Sequence, residues 1–214
     1  MFTSQGCSSC PPADLMVGEL AKDPSVLALS FPVDYWDYLG WKDTFADKAF
    51  TARQRGYSEA RGDRHVYTPQ AVVDGMLHAV GSNRDSIIAQ RFDGRAKGAL
   101  AVPVSATVDG STIRIAVGAA AQPRLKPATV LLLPVMRRSD VAIARGENKG
   151  RTVTYTNVVR ELIPLGVWDG TQKSFEAPAS LARMRNADAF AVIVQEGTTD
   201  RPGIVLGAAK GPGL

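Results

Sequence analysis

The chain has 214 residues, 45% of them hydrophobic and 21% charged, with a formal net charge of +4. That is enough apolar material for at least one full core, in one domain or two. No run of about 18 apolar residues is present, which excludes a membrane-spanning helix, and the mild basic excess lacks the clustered stripe that nucleic-acid binding requires. Both cysteines lie in one Cys-x-x-Cys, leaving no further thiols for a four-ligand structural zinc site or a disulfide framework.

Met1-Phe2-Thr3 reads as the end of a first strand whose beginning lies upstream, so the missing part, with any signal peptide, is expected before these residues. Gly6-Cys7-Ser8-Ser9-Cys10-Pro11-Pro12 follows, and the apolar spacing from Ala13 to Ala21 predicts a helix. Proline fits a first helical turn, so the cysteines sit at a helix start. Val26–Asp34 reads as a buried strand and Tyr35–Trp41 as an aromatic loop. Helical spacing spans Asp43 to Ala60. Ala71–Asp74 and Met76–Val80 form a hairpin about Gly75, and a closing helix runs from Ser82 or Asn83, as cap, to Phe92. The expected order is β-α-β-α-β-β-α.

Asp93–Gly98 reads as a linker. Beyond it, Val104–Val108 and Thr112–Val117 flank Asp109-Gly110 as a hairpin. Val130–Met136, Phe190–Gln195 and Gly203–Leu206 read as further strands. Charge divides as well, with net −1 over residues 1–102 and net +5 over 103–214. The expectation is an α/β thioredoxin-like domain over 1–95, its first strand truncated, followed by a β-rich, sandwich-like domain over 101–214.

A Cys-x-x-Cys at a helix start is suited to redox work. Free N–H groups and the helix dipole favour the thiolate of Cys7, and the spacing lets Cys10 resolve a mixed disulfide. Cys7 is therefore read as nucleophile and Cys10 as resolving thiol, with protein or small-molecule thiols as partners and no cofactor beyond the redox-active disulfide. The element order resembles the thioredoxin fold, and Thr68-Pro69 stands where that superfamily places a cis-proline. Longer strings carry a closer resemblance: Phe2 to Asp14, Val33 to Trp41, Tyr67 to Gln70 and Arg145 to Asn148. They are similar to a bacterial family of exported thioredoxin-like proteins labelled as a domain of unknown function. That resemblance implies the fold and an exported, periplasmic or secreted location, and supplies no substrate. Gly6 and the Ser8-Ser9 pair depart from ordinary thioredoxins.

Loops at the carboxyl ends of neighbouring parallel strands share one edge, which places Asp34, Tyr35, Trp36 and Trp41 beside Cys7 as a substrate platform, with Thr68 offering backbone hydrogen bonds and Pro69 completing the site. Packing between the two domains explains the same rings. Asp14 is read as a first-turn dipole partner and His78 as structural. The rival function is a soft-metal carrier holding copper or zinc on Cys7, Cys10 and His65. The glycine-rich, charged stretch from Arg145 to Arg160 reads as a surface loop. It serves either for partner docking through the C-terminal unit or as a turn salt-bridged by Glu147, Arg151 and Arg160.

Overall fold

The computed structural model describes residues 1–121 and 126–214. In the first half, β1 (Phe2–Thr3) leads through the cysteine loop into α1 (Pro11–Ala21). Then come β2 (Phe31–Pro32), α2 (Lys48–Arg61), β3 (Gln70–Val73), β4 (Leu77–Val80) and α3 (Arg84–Ala96). The strands form one sheet in the order β2-β1-β3-β4, with β1 parallel to β2 and antiparallel to β3. This is the element order that the periodicity predicts, and Asn83 caps α3 by accepting from the Ser86 N–H.

Three boundaries differ. The strand expected over Val26–Asp34 shrinks to two residues, because Ser30 bridges to Val158 and the Asn157 amide donates to the Ala28 carbonyl. Pro32, with no N–H, cannot extend the ladder as a donor. Helix α2 starts at Lys48 rather than Asp43. Asp43 instead gathers the N–H groups of Phe45 and Ala46, holding a turn, and Asp47 serves as the N-cap. Helix α3 absorbs the first part of the expected linker.

The second half contributes β5 (Val104–Asp109), β6 (Thr112–Val117), β7 (Ala128–Ala142), β8 (Thr152–Val159), β9 (Ile163–Trp168), β10 (Lys173–Pro178), β11 (Ala189–Gly197) and β12 (Pro202–Lys210). One sheet has the order β10-β6-β5. The other has the order β12-β11-β7-β8, with β9 also pairing β7. The whole is a mixed α/β chain dominated by strands. Strand β8 corrects the reading of Arg145–Arg160 as surface loop: Val153, Tyr155, Val158 and Val159 are buried. Its alternation is obscured because Asn157 takes a left-handed φ of 49° and shifts the facing of its neighbours.

The unbroken run Leu131-Leu132-Leu133 shows how the halves join. All three are buried, since β7 and β11 are covered on both faces. Val130, Leu132, Val192 and Val194 pack with Ile113, Ile115 and Trp168, between the two sheets of the second half. Leu131, Leu133, Val135 and Ile193 pack with Phe2, Phe31, Val33 and Phe50 of the first. A sheet dry on both faces needs continuous apolar strands. Arg53 of α2 is buried in this shared core with neutral partners. Its guanidinium donates to the Tyr57 hydroxyl at 2.9 Å, to the Thr199 carbonyl at 3.1 Å and to the Gln195 side chain.

Candidate functional site

Cys7 and Cys10 are joined as a disulfide with 5.4 Å between their Cα atoms. Cys10 is the N-cap residue of α1, its carbonyl accepting from the N–H groups of Ala13 and Asp14, and Pro11 and Pro12 fill the first turn. The bond is covered: Cys7 is 1% exposed and Cys10 0%, while Ser8 and Ser9 form an exposed rim.

The cover comes from two loops distant in sequence. In the 143–151 turn between β7 and β8, the buried Asn148 amide donates to the carbonyls of Gln5 (3.0 Å) and Cys7 (2.8 Å). Next to it, the Glu147 carboxylate accepts from the Ser8 N–H at 3.2 Å, and Arg151 donates to the Asn148 side-chain oxygen at 3.3 Å. Arg160 lies over the Phe45 ring and donates to the Arg185 carbonyl. The Arg145–Asn148 string is thus a clasp on the cysteine loop. Nothing local in sequence marks it, because the partners are more than 130 residues apart.

The second loop is the aromatic one. Trp41 donates its indole N–H to the Gln5 side chain at 2.8 Å, and Gln5 in turn donates its backbone N–H to Asp43 at 2.8 Å. Trp36 donates to the Thr68 hydroxyl at 2.8 Å and presses on Gly6, where an added Cβ would come within 3.1 Å of the Trp36 Cβ. Glycine before the first cysteine therefore makes room for Trp36. Gly6→Ala is expected to cost about 1–2 kcal/mol through overpacking, measured by urea unfolding, with the disulfide still forming.

The Thr68-Pro69 peptide bond is cis. Phe2 pairs with Gln70, so continuing that register sets Pro69 beside Thr3, four residues before Cys7. Trp36 thereby ties Gly6 to Thr68, bringing Cys7, Cys10, Trp36, Trp41, Thr68 and Pro69 into one neighbourhood. Asp34 is engaged elsewhere, bonding Thr51, whereas Tyr35 borders the site, its ring centroid 6.1 Å from that of Trp36 and its hydroxyl donating to Gln54. His65 lies with Asp63 and His78, a group that does not include the cysteines. An apolar cavity of about 180 Å³ lies among Val17, Leu27, Leu29, Tyr57 and Ala208, and neither cysteine lines it.

Asp14 lies in the first turn of α1, as its reading as a dipole partner expects, and is buried there at 2% exposed. One oxygen accepts from the Thr3 hydroxyl at 2.7 Å and the other has no hydrogen-bond partner. Burial pushes its pKa up to about 8, opposed by the Thr3 hydrogen bond. Burial also raises Asp43 to about 6, against the pull of the Gln5 N–H, and lifts the Tyr155 phenol. Two acids that resist ionisation thus flank the cysteine loop. Asp14 lies one helical turn beyond Cys10, hence on the same face of α1.

The family model described as protein of unknown function (DUF1223) matches residues 1–195. The chain belongs to the DUF1223 family. It is also similar to a protein from Agrobacterium tumefaciens whose X-ray crystal structure is known. Identity is 34% and the TM-score 0.85, covering 98% of this chain and 90% of that one. No curated protein matches. Among the described residues, no helix is long and apolar enough to cross a membrane.

Proposed function

We propose that this DUF1223 protein is an exported thiol/disulfide oxidoreductase, built as a thioredoxin-like half fused to a sandwich-like half, with Cys7 as nucleophile and Cys10 as resolving thiol. The observation that carries the reading is a Cys7–Cys10 pair closing the start of α1 in the neighbourhood of a cis Thr68-Pro69. A substrate thiolate attacks Sγ of Cys7, breaking the Cys7–Cys10 bond and releasing the Cys10 thiolate. A second substrate thiolate then attacks the mixed disulfide, leaving as substrate disulfide and freeing Cys7. Two electrons pass to the cysteine pair, and the reverse sequence reduces a substrate disulfide. Asp14, neutral near pH 7, supplies a proton to Cys10 as its thiolate is released, or accepts one in reverse.

The four-stranded β2-β1-β3-β4 sheet order, with α1 following β1, supports the thioredoxin-like half. A disulfide of this kind persists in an oxidising compartment, in keeping with export. Turnover with glutathione or reduction of insulin should be measurable for the wild type and lost in Cys7→Ser. Wild-type turnover no greater than that of Cys7→Ser would refute the reading.

A further inference from the structure

A group of metal-binding side chains lies apart from the cysteines, where the α2–β3 loop meets β4. Helix α2 ends at Gly62 in a left-handed conformation (φ 73°), which turns Asp63 and His65 back toward His78 of β4. One ligand atom from each of Asp63, His65 and His78 lies within 4.8 Å of the others. His78 Nε2 is 3.1 Å from Asp63 Oδ2, and the two imidazole rings have centroids 5.8 Å apart. We propose that Asp63, His65 and His78 bind one divalent transition-metal ion of the zinc type.

The donor set of two imidazoles and one carboxylate selects borderline ions such as Zn²⁺ and Cu²⁺ over Ca²⁺ and Mg²⁺, which need more oxygen ligands. Bonds of about 2.0–2.2 Å in a tetrahedral site set ligands roughly 3.5 Å apart, so a gap of up to 4.8 Å closes by about 1.3 Å at most. His65 is exposed and its side chain is free to supply that movement.

The other two ligands are already aimed. His78 Nδ1 is 2.8 Å from the Tyr67 hydroxyl, which orients the ring with Nε2 toward Asp63. When an ion takes Nε2, the single imidazole proton resides on Nδ1 and the Tyr67 oxygen accepts it, a second layer of support common at such sites. Asp63 Oδ1 accepts from the His65 N–H at 2.9 Å and from Ser58 and Arg61 at 3.3 Å, so the carboxylate stays anchored while Oδ2 turns to the ion. Arg61 Nε also donates to Oδ2 at 2.6 Å and competes for it. The fourth position opens to water.

The test uses the full chain with its disulfide intact, which keeps both thiols out of the chemistry, after removal of metal by chelator. Zn²⁺ is titrated by calorimetry and Co²⁺ by its visible d–d absorption. One ion per chain is expected, with binding at least tenfold weaker in His65→Ala and His78→Gln, tighter in Arg61→Gln, and unaffected by excess Ca²⁺ or Mg²⁺. His65 is exposed, so its variant remains informative even where His78→Gln fails to fold. No binding to the oxidised wild type, or an affinity that His65→Ala leaves unchanged, overturns the proposal.

Discussion

Asn148→Ala is expected to lower the thermal midpoint by about 4–8 °C and to speed reduction of the Cys7–Cys10 disulfide by dithiothreitol. The buried Asn148 amide satisfies the carbonyls of Gln5 and Cys7. Truncation strands the Gln5 carbonyl, while that of Cys7 still accepts from the Cys10 N–H at 3.1 Å, so the cost is about 2 kcal/mol, within the 1–3 kcal/mol of one unsatisfied buried group. For a chain of this size each kcal/mol moves the midpoint by about 2–4 °C. The same loss frees the cysteine loop, which is otherwise shielded from an incoming thiolate. Glu147→Ala separates the two effects. Its bond to the Ser8 N–H is solvent-exposed, so its removal should change stability by no more than about 0.5 kcal/mol while still quickening reduction. Calorimetry and a thiol-quench assay measure these, and a shift below about 2 °C in Asn148→Ala would show that the clasp carries no stability.

The first half was legible because its elements announce themselves locally. Helical spacing after Pro11-Pro12, the Asn83 cap and the Gly75 turn are all set by neighbours a few residues apart. Asp109-Gly110 identifies its hairpin for the same reason, with Gly110 at positive φ. What escaped reading depends on distant partners. Asn148 resembles any polar residue of a glycine-rich loop until the cysteine loop is placed against it. Strand β8 looks too polar for core because Thr152, Thr154 and Thr156 alternate with its buried residues, and the Asn157 kink then breaks the alternation. The Leu131–Leu133 run signals burial on both sides, but its second cover is the other half of the chain. Nearness in sequence to Pro69 groups His65 with the cysteines, whereas Gly62 turns the loop toward β4. Asp14 shows the same limit, since its place in a first turn is legible locally whereas its burial depends on the fold closing over it.

Asp14 should therefore leave a signature in the pH dependence of stability. Its carboxyl rises from an ordinary 3.8 to about 8 in the folded chain, through burial first, with Thr3, Asp43 and the Met1 amino group as its polar and charged surroundings. Between those values the folded chain keeps a proton that the unfolded chain releases, so unfolding is favoured as pH rises. The stability is full below about pH 4, declines through the neutral range and levels off above about pH 8. Asp43, raised to about 6, adds to the decline only in its lower part. From pH 6 to 8 one proton corresponds to about 1.4 kcal/mol per pH unit, and the whole window to at most about 6 kcal/mol. Asp14→Asn keeps an oxygen for the Thr3 hydroxyl but cannot ionise. The difference between wild-type and variant midpoints, which cancels histidine titration common to both, should shift in favour of the variant by about 3–5 °C per pH unit over pH 6–8. A difference that stays flat across that range would mean that Asp14 ionises freely in the fold, and with it would go the case for a proton held beside Cys10.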